Sequence, residues 1–139
     1  MNKKVSLLIF TILLSLSFIF GGNQNSVLAA SKKFDCTYAN ISCKGVDFTS
    51  YGTASAYSDY IYALKGQQIS YNVTTDGDSQ FHLIAYVRNS SGQRVTPNIW
   101  GVNTVYFDAP YTGNYRIYAY CSDTGSISER CKGQATISE

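Results

Sequence analysis

Turn signals that contain glycine divide the chain into short segments from residue 44 onward, and they limit every element of secondary structure to a few residues. These pairs are Lys44-Gly45, Tyr51-Gly52, Lys65-Gly66, Asp76-Gly77, Ser91-Gly92, Thr112-Gly113 and Thr124-Gly125. The segments between them are rich in Tyr, Thr, Ile, Val and Ser, which favour strands. The sequence therefore predicts an all-β fold: a single antiparallel β-sandwich, jelly-roll or immunoglobulin-like, with about seven or eight strands.

Alternation of apolar and polar residues places the individual strands. We expect one or two early strands, and then strands at 59–65, 69–75, 80–88, 102–108, 115–121 and 134–138. The first two of these, joined by a Gly-Gln-Gln turn, predict a hairpin over 59–75. Within 80–88, the core-facing set is Phe81, Leu83, Ala85 and Val87, and the opposite set is His82, Ile84, Tyr86 and Arg88.

The segment 115–121 is dense in tyrosine, and its two faces differ in character. Ile117 and Ala119 share one face with Tyr115 and Cys121, so this face is predicted to be core. Arg116, Tyr118 and Tyr120 share the other face, which is predicted to be exposed. Tyr115 follows Gly113 at the start of a strand, which predicts a tyrosine corner whose hydroxyl bonds to upstream backbone.

The first 29 residues have the order of a secretory signal peptide. Lys3 and Lys4 form a positive start, an apolar run ends near Phe20, and Val27 and Ala29 are the small residues of a cleavage site. We therefore expect cleavage after Ala29 and one secreted, extracellular domain over 30–139. No membrane association is expected once the signal peptide has been removed.

The charge of the expected mature chain is balanced. Loss of Lys3 and Lys4 lowers Lys+Arg from 11 to 9, which equals the 9 Asp+Glu, none of which lies in the signal peptide. No basic run is longer than Lys32-Lys33, so the basic patch of a nucleic-acid-binding protein is missing from the sequence. We expect a monomer that does not bind nucleic acid.

Four cysteines, an even number in a chain with an export signal, predict disulfides. The pairing of Cys36 with Cys43, and of Cys121 with Cys131, is favoured because each pair is close in sequence. The second bridge would tie neighbouring strands across a hairpin loop. Long-range bridges between the two ends are the alternative, since cross-links that close longer loops stabilise more in chain-entropy models.

Catalytic and metal-binding patterns are weak in this sequence. His82 is the only histidine, it is predicted to lie within a strand, and no serine occupies a G-x-S-x-G elbow. Asp76-Gly77-Asp78 offers two carboxylates to calcium, but Asp and Gly also suit plain turns. The cysteine spacings are wide for a zinc site. We expect no enzymatic activity, no metal and no cofactor.

Aromatic residues are the strongest compositional feature, with 12 tyrosines in the chain. Tyrosine buries large area at low entropic cost and keeps a polar tip, which suits recognition surfaces. The alternative is ordinary strand composition, because tyrosine favours sheets whether or not a ligand binds. The predicted ligand-binding residues are Tyr86, Arg88, Trp100 (in a loop), Arg116, Tyr118 and Tyr120.

Three segments carry a family resemblance: DYIYALKGQQISYNV, FHLIAYVRNSSGQRV and VYFDAPYTGNYRIYAY. Over roughly residues 59–138 they resemble the bacterial pre-peptidase C-terminal domain. That family is a small β-sandwich appended to secreted peptidases, similar to the collagen-binding domains of clostridial collagenases. The resemblance implies a bacterial, secreted β-sandwich.

These features together predict a secreted, non-catalytic binding module that recognises an extracellular polysaccharide or surface protein through an aromatic strand face. The alternative is a small secreted effector, such as a protease inhibitor, toxin or antimicrobial protein, that acts through disulfide-constrained loops. A structural component of a coat or biofilm is a third interpretation.

Overall fold

The structure, a computed structural model, describes residues 30–36, 41–51, 55–122 and 130–139. The predicted signal peptide therefore lies outside the described residues. Within the described ranges there are ten strands and no helix. Accordingly, the described part of the chain has no helix that is long and apolar enough to cross a membrane.

The strands pair antiparallel in two sheets of five. In chain order they are β1 (Ala30–Asp35), β2 (Cys43–Tyr51), β3 (Ser55–Tyr57), β4 (Ile61–Ala63), β5 (Gln68–Thr75), β6 (Leu83–Asn89), β7 (Ile99–Trp100), β8 (Val102–Asp108), β9 (Gly113–Cys121) and β10 (Arg130–Ser138). The first sheet has the order β1-β2-β10-β5-β8. The second has the order β3-β9-β6-β7, with β4 also pairing with β9. The predicted all-β sandwich is confirmed.

Strand alternation builds the core between the two sheets. From the first sheet, Ile69 and Val73 of β5 are fully buried, and from the second sheet Leu83 and Val87 of β6 are fully buried. Burial of each such side chain is worth about 1.5–3 kcal/mol. The predicted core face of the segment 80–88 is therefore correct, with Phe81 partly buried at its rim.

The predicted hairpin over 59–75 is wrong. β4 pairs with β9 in the second sheet, whereas β5 pairs with β10 and β8 in the first. The chain crosses the edge of the sandwich at Gly66, whose φ is 81° and whose N–H donates to the carbonyl of Ala109 at 2.8 Å. Ile61 and Ile69 both face the core, but from opposite sheets. Alternation predicts which side chains are buried, but it does not predict which sheet a strand joins.

The tyrosine corner is present. The hydroxyl of Tyr115 donates to the carbonyl of Tyr111 at 2.5 Å and accepts from the Tyr111 N–H at 3.1 Å. The ring of Tyr115 is 1% exposed and packs edge-on against Phe107 of the other sheet, with 6.3 Å between the ring centroids. This hydrogen bond fixes the start of β9, the strand that carries Arg116 and Tyr118.

Both disulfides are local. Cys36–Cys43 closes the β1–β2 hairpin, next to a backbone hydrogen bond from Cys36 N–H to the Cys43 carbonyl at 3.1 Å. Cys121–Cys131 links β9 to β10, and these strands lie in different sheets. The expectation that it ties neighbouring strands is therefore wrong, because it joins the two layers. Residues 123–129 of the predicted hairpin loop lie outside the described residues.

His82 and Asp76, which the sequence analysis considered for catalysis and calcium binding, make contacts within the fold. His82 is exposed and precedes β6 rather than lying within it, and its carbonyl accepts from the Ser122 N–H at 2.9 Å. Asp76 lies in a turn and forms an ion pair with Lys132 at 2.8 Å. Across the described ranges, no three His, Cys, Asp or Glu side chains are grouped as a metal site.

Candidate binding face

All six predicted ligand-binding residues lie on the outer face of the second sheet. The register across β9 and β6 sets Tyr120 opposite Ile84, Tyr118 opposite Tyr86, and Arg116 opposite Arg88. β7 continues the first of these rows, with Trp100 opposite Ile84. We call this surface the arginine–tyrosine face and define it by Tyr57, Ile84, Tyr86, Arg88, Arg94, Trp100, Arg116, Tyr118 and Tyr120.

The first row ends in the most exposed aromatic ring of the face. Trp100 is 60% exposed and belongs to the edge strand β7, not to a loop as the sequence predicted. Tyr120 lies two strands away in the same row, and its hydroxyl accepts from the Asn98 side chain at 3.0 Å. Trp100 therefore offers an open indole surface beside a tyrosine whose position is fixed.

The second row is made of three tyrosines. Tyr57 of β3 lies opposite Tyr118, which lies opposite Tyr86. The ring centroids of Tyr118 and Tyr86 are 5.1 Å apart, and those of Tyr118 and Tyr120 are 6.3 Å apart. Such contacts between rings add to the stability given by area burial. They also hold the aromatic side chains of the two rows in fixed positions.

The third row consists of three arginines on adjacent strand segments. Arg88 lies opposite Arg116 on one side and pairs with Arg94 through an isolated bridge on the other. Like charges directly opposite one another in a sheet are destabilising. Among the residues that the structure describes, no carboxylate forms an ion pair with any of these three guanidinium groups. Within the described ranges, the row is therefore cationic and has no carboxylate counter-charge.

Tyrosine rings hold the arginines in place. The guanidinium carbons of Arg88 and Arg94 lie over the Tyr86 ring at 5.2 and 4.7 Å, and Arg88 also lies 4.6 Å from the Tyr118 ring. Tyr86 is consequently only 7% exposed. Its hydroxyl accepts from Arg88 Nη2 at 2.5 Å, whereas Arg88 Nε is buried and has no partner among the described atoms. Tyr86 thus supports the arginines from below instead of presenting its own surface.

A second cluster surrounds Arg116. Its guanidinium carbon lies 4.1 Å from the Tyr57 ring and 4.9 Å from the Tyr60 ring. Lys33 also lies over Tyr57, at 4.8 Å, and forms an ion pair with Asp59 at 2.8 Å. The hydrogen bond from Lys33 lowers the pKa of Asp59 below its ordinary value, and the effect is partly opposed by desolvation. The negative charge of Asp59 is therefore neutralised by Lys33.

Sequence reasoning missed Arg94, Tyr57 and Tyr60. Tyr57 alternates with the buried Ala56, a pattern that places its ring outward. Arg94 had no comparable indication, because its position depends on the turn after β6. That turn contains Gly92 at φ 82°, and it returns the chain so that Val95 N–H donates to the Val87 carbonyl at 2.9 Å.

No protein-family model matches the chain, and no curated protein matches it in sequence. The predicted resemblance to the pre-peptidase C-terminal domain therefore stays a prediction beyond the β-sandwich fold itself.

Solved structures do show similar folds. One is Aeromonas hydrophila PliG, a periplasmic lysozyme inhibitor of g-type lysozyme, at 13% identity and TM-score 0.47 over 84% of this chain and 90% of that one. Another is the C-terminal CBM6 of LamC from Zobellia galactanivorans, at 14% identity and TM-score 0.41 over 83% of this chain and 94% of that one. At such low identity these matches concern the fold alone.

Proposed function

We propose that the protein is a secreted, non-catalytic binding module that holds an extracellular polymer on the arginine–tyrosine face. The observation that supports this is the register that gathers Trp100, Tyr118, Tyr120, Arg88 and Arg116 on one outer sheet surface. Sheet composition alone accounts for tyrosines on a strand, but it does not account for three arginines stacked among them without a carboxylate partner in the described structure.

The shape of the surface favours an extended ligand. A sheet face is broad and shallow, whereas sites for small molecules are concave and enclose most of the ligand. Trp100 is 60% exposed and Tyr57 is 44% exposed, so ring surface is open at both edges of the face. A polymer that lies across the strands would cover both rings at once.

The covalent structure fits work outside the cytosol. Two disulfides stabilise the described part of the chain, and such bonds persist in oxidising compartments. Together with the predicted signal peptide, they support secretion of a domain over 30–139. N-terminal sequencing of the exported protein should begin at Ala30.

The test compares two exposed aromatic residues on opposite sides of the sandwich. Trp100 on the second sheet is 60% exposed, and Tyr106 on β8 of the first sheet is 62% exposed. The oxidised protein, purified after secretion from an expression host, would be mixed with insoluble peptidoglycan, cellulose, chitin and collagen. The bound fraction would then be measured for wild type, Trp100→Ala and Tyr106→Ala.

We expect retention on at least one polymer that falls at least fivefold in Trp100→Ala and is unchanged in Tyr106→Ala, since one buried aromatic ring contributes on the order of 1–2 kcal/mol at an interface. Equal loss in both variants, or loss in Tyr106→Ala alone, would contradict the assignment of this face. A second variant, Tyr118→Ala with Tyr120→Ala, tests the interior of the same surface.

A further inference from the structure

The three arginines of the arginine–tyrosine face form a straight row across the sheet. Arg116, Arg88 and Arg94 are matched by register on neighbouring strand segments. Adjacent strands lie about 4.8 Å apart, so the row extends over roughly 10 Å. This length exceeds what a single carboxylate or phosphate group occupies. A ligand that neutralises the whole row must carry several negative charges along its length.

Hydrogen bonds within the protein already use some of the arginine donors: Arg94 Nε donates to the Thr96 carbonyl at 2.6 Å, and Arg88 Nη2 donates to the Tyr86 hydroxyl at 2.5 Å. The guanidinium carbon of Arg116 lies over the Tyr57 and Tyr60 rings, and that of Arg94 lies over the Tyr86 ring. A guanidinium group that stacks on a ring keeps its N–H donors in its own plane, in the fork geometry that matches a carboxylate. Arg94 is exposed, and Arg88 and Arg116 are partly exposed. The row therefore presents positive charge at its surface, and the ring contacts and these two hydrogen bonds hold the guanidinium groups in position.

The rest of the face is suited to contact with an uncharged, apolar part of a ligand. Trp100, Tyr120 and Ile84 form an aromatic and apolar row two residues along the strands from Tyr86 and Tyr118. A chain of sugar rings has apolar faces that would pack on these side chains, while its acidic substituents reach the arginine row. Nucleic acid fits less well, because the expected mature chain has 9 basic and 9 acidic residues and no basic run longer than Lys32-Lys33.

From this arrangement we infer that the ligand is a polysaccharide with repeated carboxylate groups, bound across the strands with its carboxylates on Arg116, Arg88 and Arg94. The inference rests on the proposed function, because it names the ligand class of the same face. It adds that the negative charge of the ligand determines specificity, and that packing on the aromatic row is not sufficient for it.

The experiment uses one sugar backbone in two charge states. Affinity electrophoresis of the secreted, oxidised protein would be run in gels that contain polygalacturonate or its fully methyl-esterified form. We expect retardation by polygalacturonate, at least tenfold weaker binding to the ester, and weaker binding as salt is raised. Equal binding to both forms would overturn the inference.

Variants then locate the charge requirement. Arg94→Gln with Arg116→Gln should lower affinity for polygalacturonate at least tenfold. The matched control is Lys32→Gln, which removes one positive charge from the outer face of the first sheet, where Lys32 pairs in register with Asp47. An equal loss in the control would show nonspecific attraction and overturn the inference. Arg94→Gln alone, at an exposed position, keeps the test possible if the double variant does not fold.

The results separate this inference from the proposed function. Binding of neutral polymers that is lost in Trp100→Ala but unaffected by the arginine variant would retain the face and reject the acidic ligand. Teichoic acid and double-stranded DNA serve as phosphate-bearing comparisons. If either binds as tightly as polygalacturonate, the carboxylate-polysaccharide assignment is wrong. Absence of binding to every polymer tested would reject both proposals.

Discussion

The two outer faces of the sandwich differ in how their polar groups are satisfied. On the first sheet, the outward side chains are mainly hydroxyls and amides that bond one another: Ser70 and Ser138 lie 2.6 Å apart, and Asn72 donates to Thr104 at 2.7 Å. On the second sheet, Arg88, Arg94 and Arg116 repeat one charge across a row with no carboxylate partner in the described structure. The same strand alternation therefore produces one face with hydrogen bonds between its polar side chains and one face with a row of arginines that has no carboxylate partner in the described structure.

The largest effect is expected from a substitution in the core, which lies between the two outer faces. Leu83→Ala in β6 deletes a fully buried side chain and should lower the free energy of unfolding by about 2–5 kcal/mol. Its neighbour Ile84 points outward on the same strand, so Ile84→Ala should cost much less. Urea denaturation followed by tryptophan fluorescence measures both. Equal losses would mean that the assignment of the two sides of β6 is wrong.

The next test removes the covalent link between the sheets. Cys121→Ser with Cys131→Ser should lower the free energy of unfolding by about 2–4 kcal/mol, the usual range for a native disulfide. Cys36→Ser with Cys43→Ser is the comparison, since that bond lies within the first sheet and spans 7 residues instead of 10. We expect the smaller loss there. If the free energy of unfolding falls more without Cys36–Cys43, the bond between the two sheets is not the more stabilising disulfide.

A smaller effect should appear in the response to salt. Screening weakens repulsion along the arginine row, so salt should stabilise wild type more than Arg94→Gln, by about 0.5 kcal/mol. Thermal unfolding of both proteins at low and high ionic strength measures the difference. Lys32→Gln, on the other face, should respond to salt as wild type does. A larger salt effect in Arg94→Gln than in wild type would show that the row is not repulsive.

The smallest expected effect concerns Asp59 at the margin of the arginine–tyrosine face. Its pKa is lowered by the hydrogen bond from Lys33, so the contribution to stability is present above its unfolded pKa of about 3.9 and is lost as pH falls through the lower folded value. Wild type and Asp59→Asn should therefore differ slightly at pH 6 and converge in acid. Unfolding measured from pH 6 to pH 2 checks this. A difference that grows in acid would refute it.

Alternation along β6 and β9 was enough to predict which of their side chains face the core and which face outward. Ile117 and Ala119 are buried and Tyr118 is partly exposed, as the two-residue period requires. The two-residue period does not show which sheet a strand joins, and for this reason the predicted hairpin over 59–75 was wrong. It also does not report what covers an outward side chain.

Tyr86 illustrates this last limit. It was assigned correctly to the outer face, but it is nearly buried because Arg88 and Arg94 lie over its ring. The position of Arg94 depends on the turn directly after β6, which brings Arg94 back beside Arg88. The two-residue period of a strand does not describe how a turn brings back the residues that follow it, so strand alternation gave no indication of this contact.

The Cys121–Cys131 bond has a mechanical consequence. If the arginine–tyrosine face holds a polymer as proposed, a polymer under tension would pull on β9, the strand that carries Arg116 and Tyr118. The disulfide transmits that traction directly into β10, which is central in the first sheet and hydrogen-bonded on both sides to β2 and β5. The force would therefore enter a strand that is hydrogen-bonded to a neighbour on each side. Reduction of this bond should lower the rupture force of the domain while its affinity for an unstressed ligand stays the same.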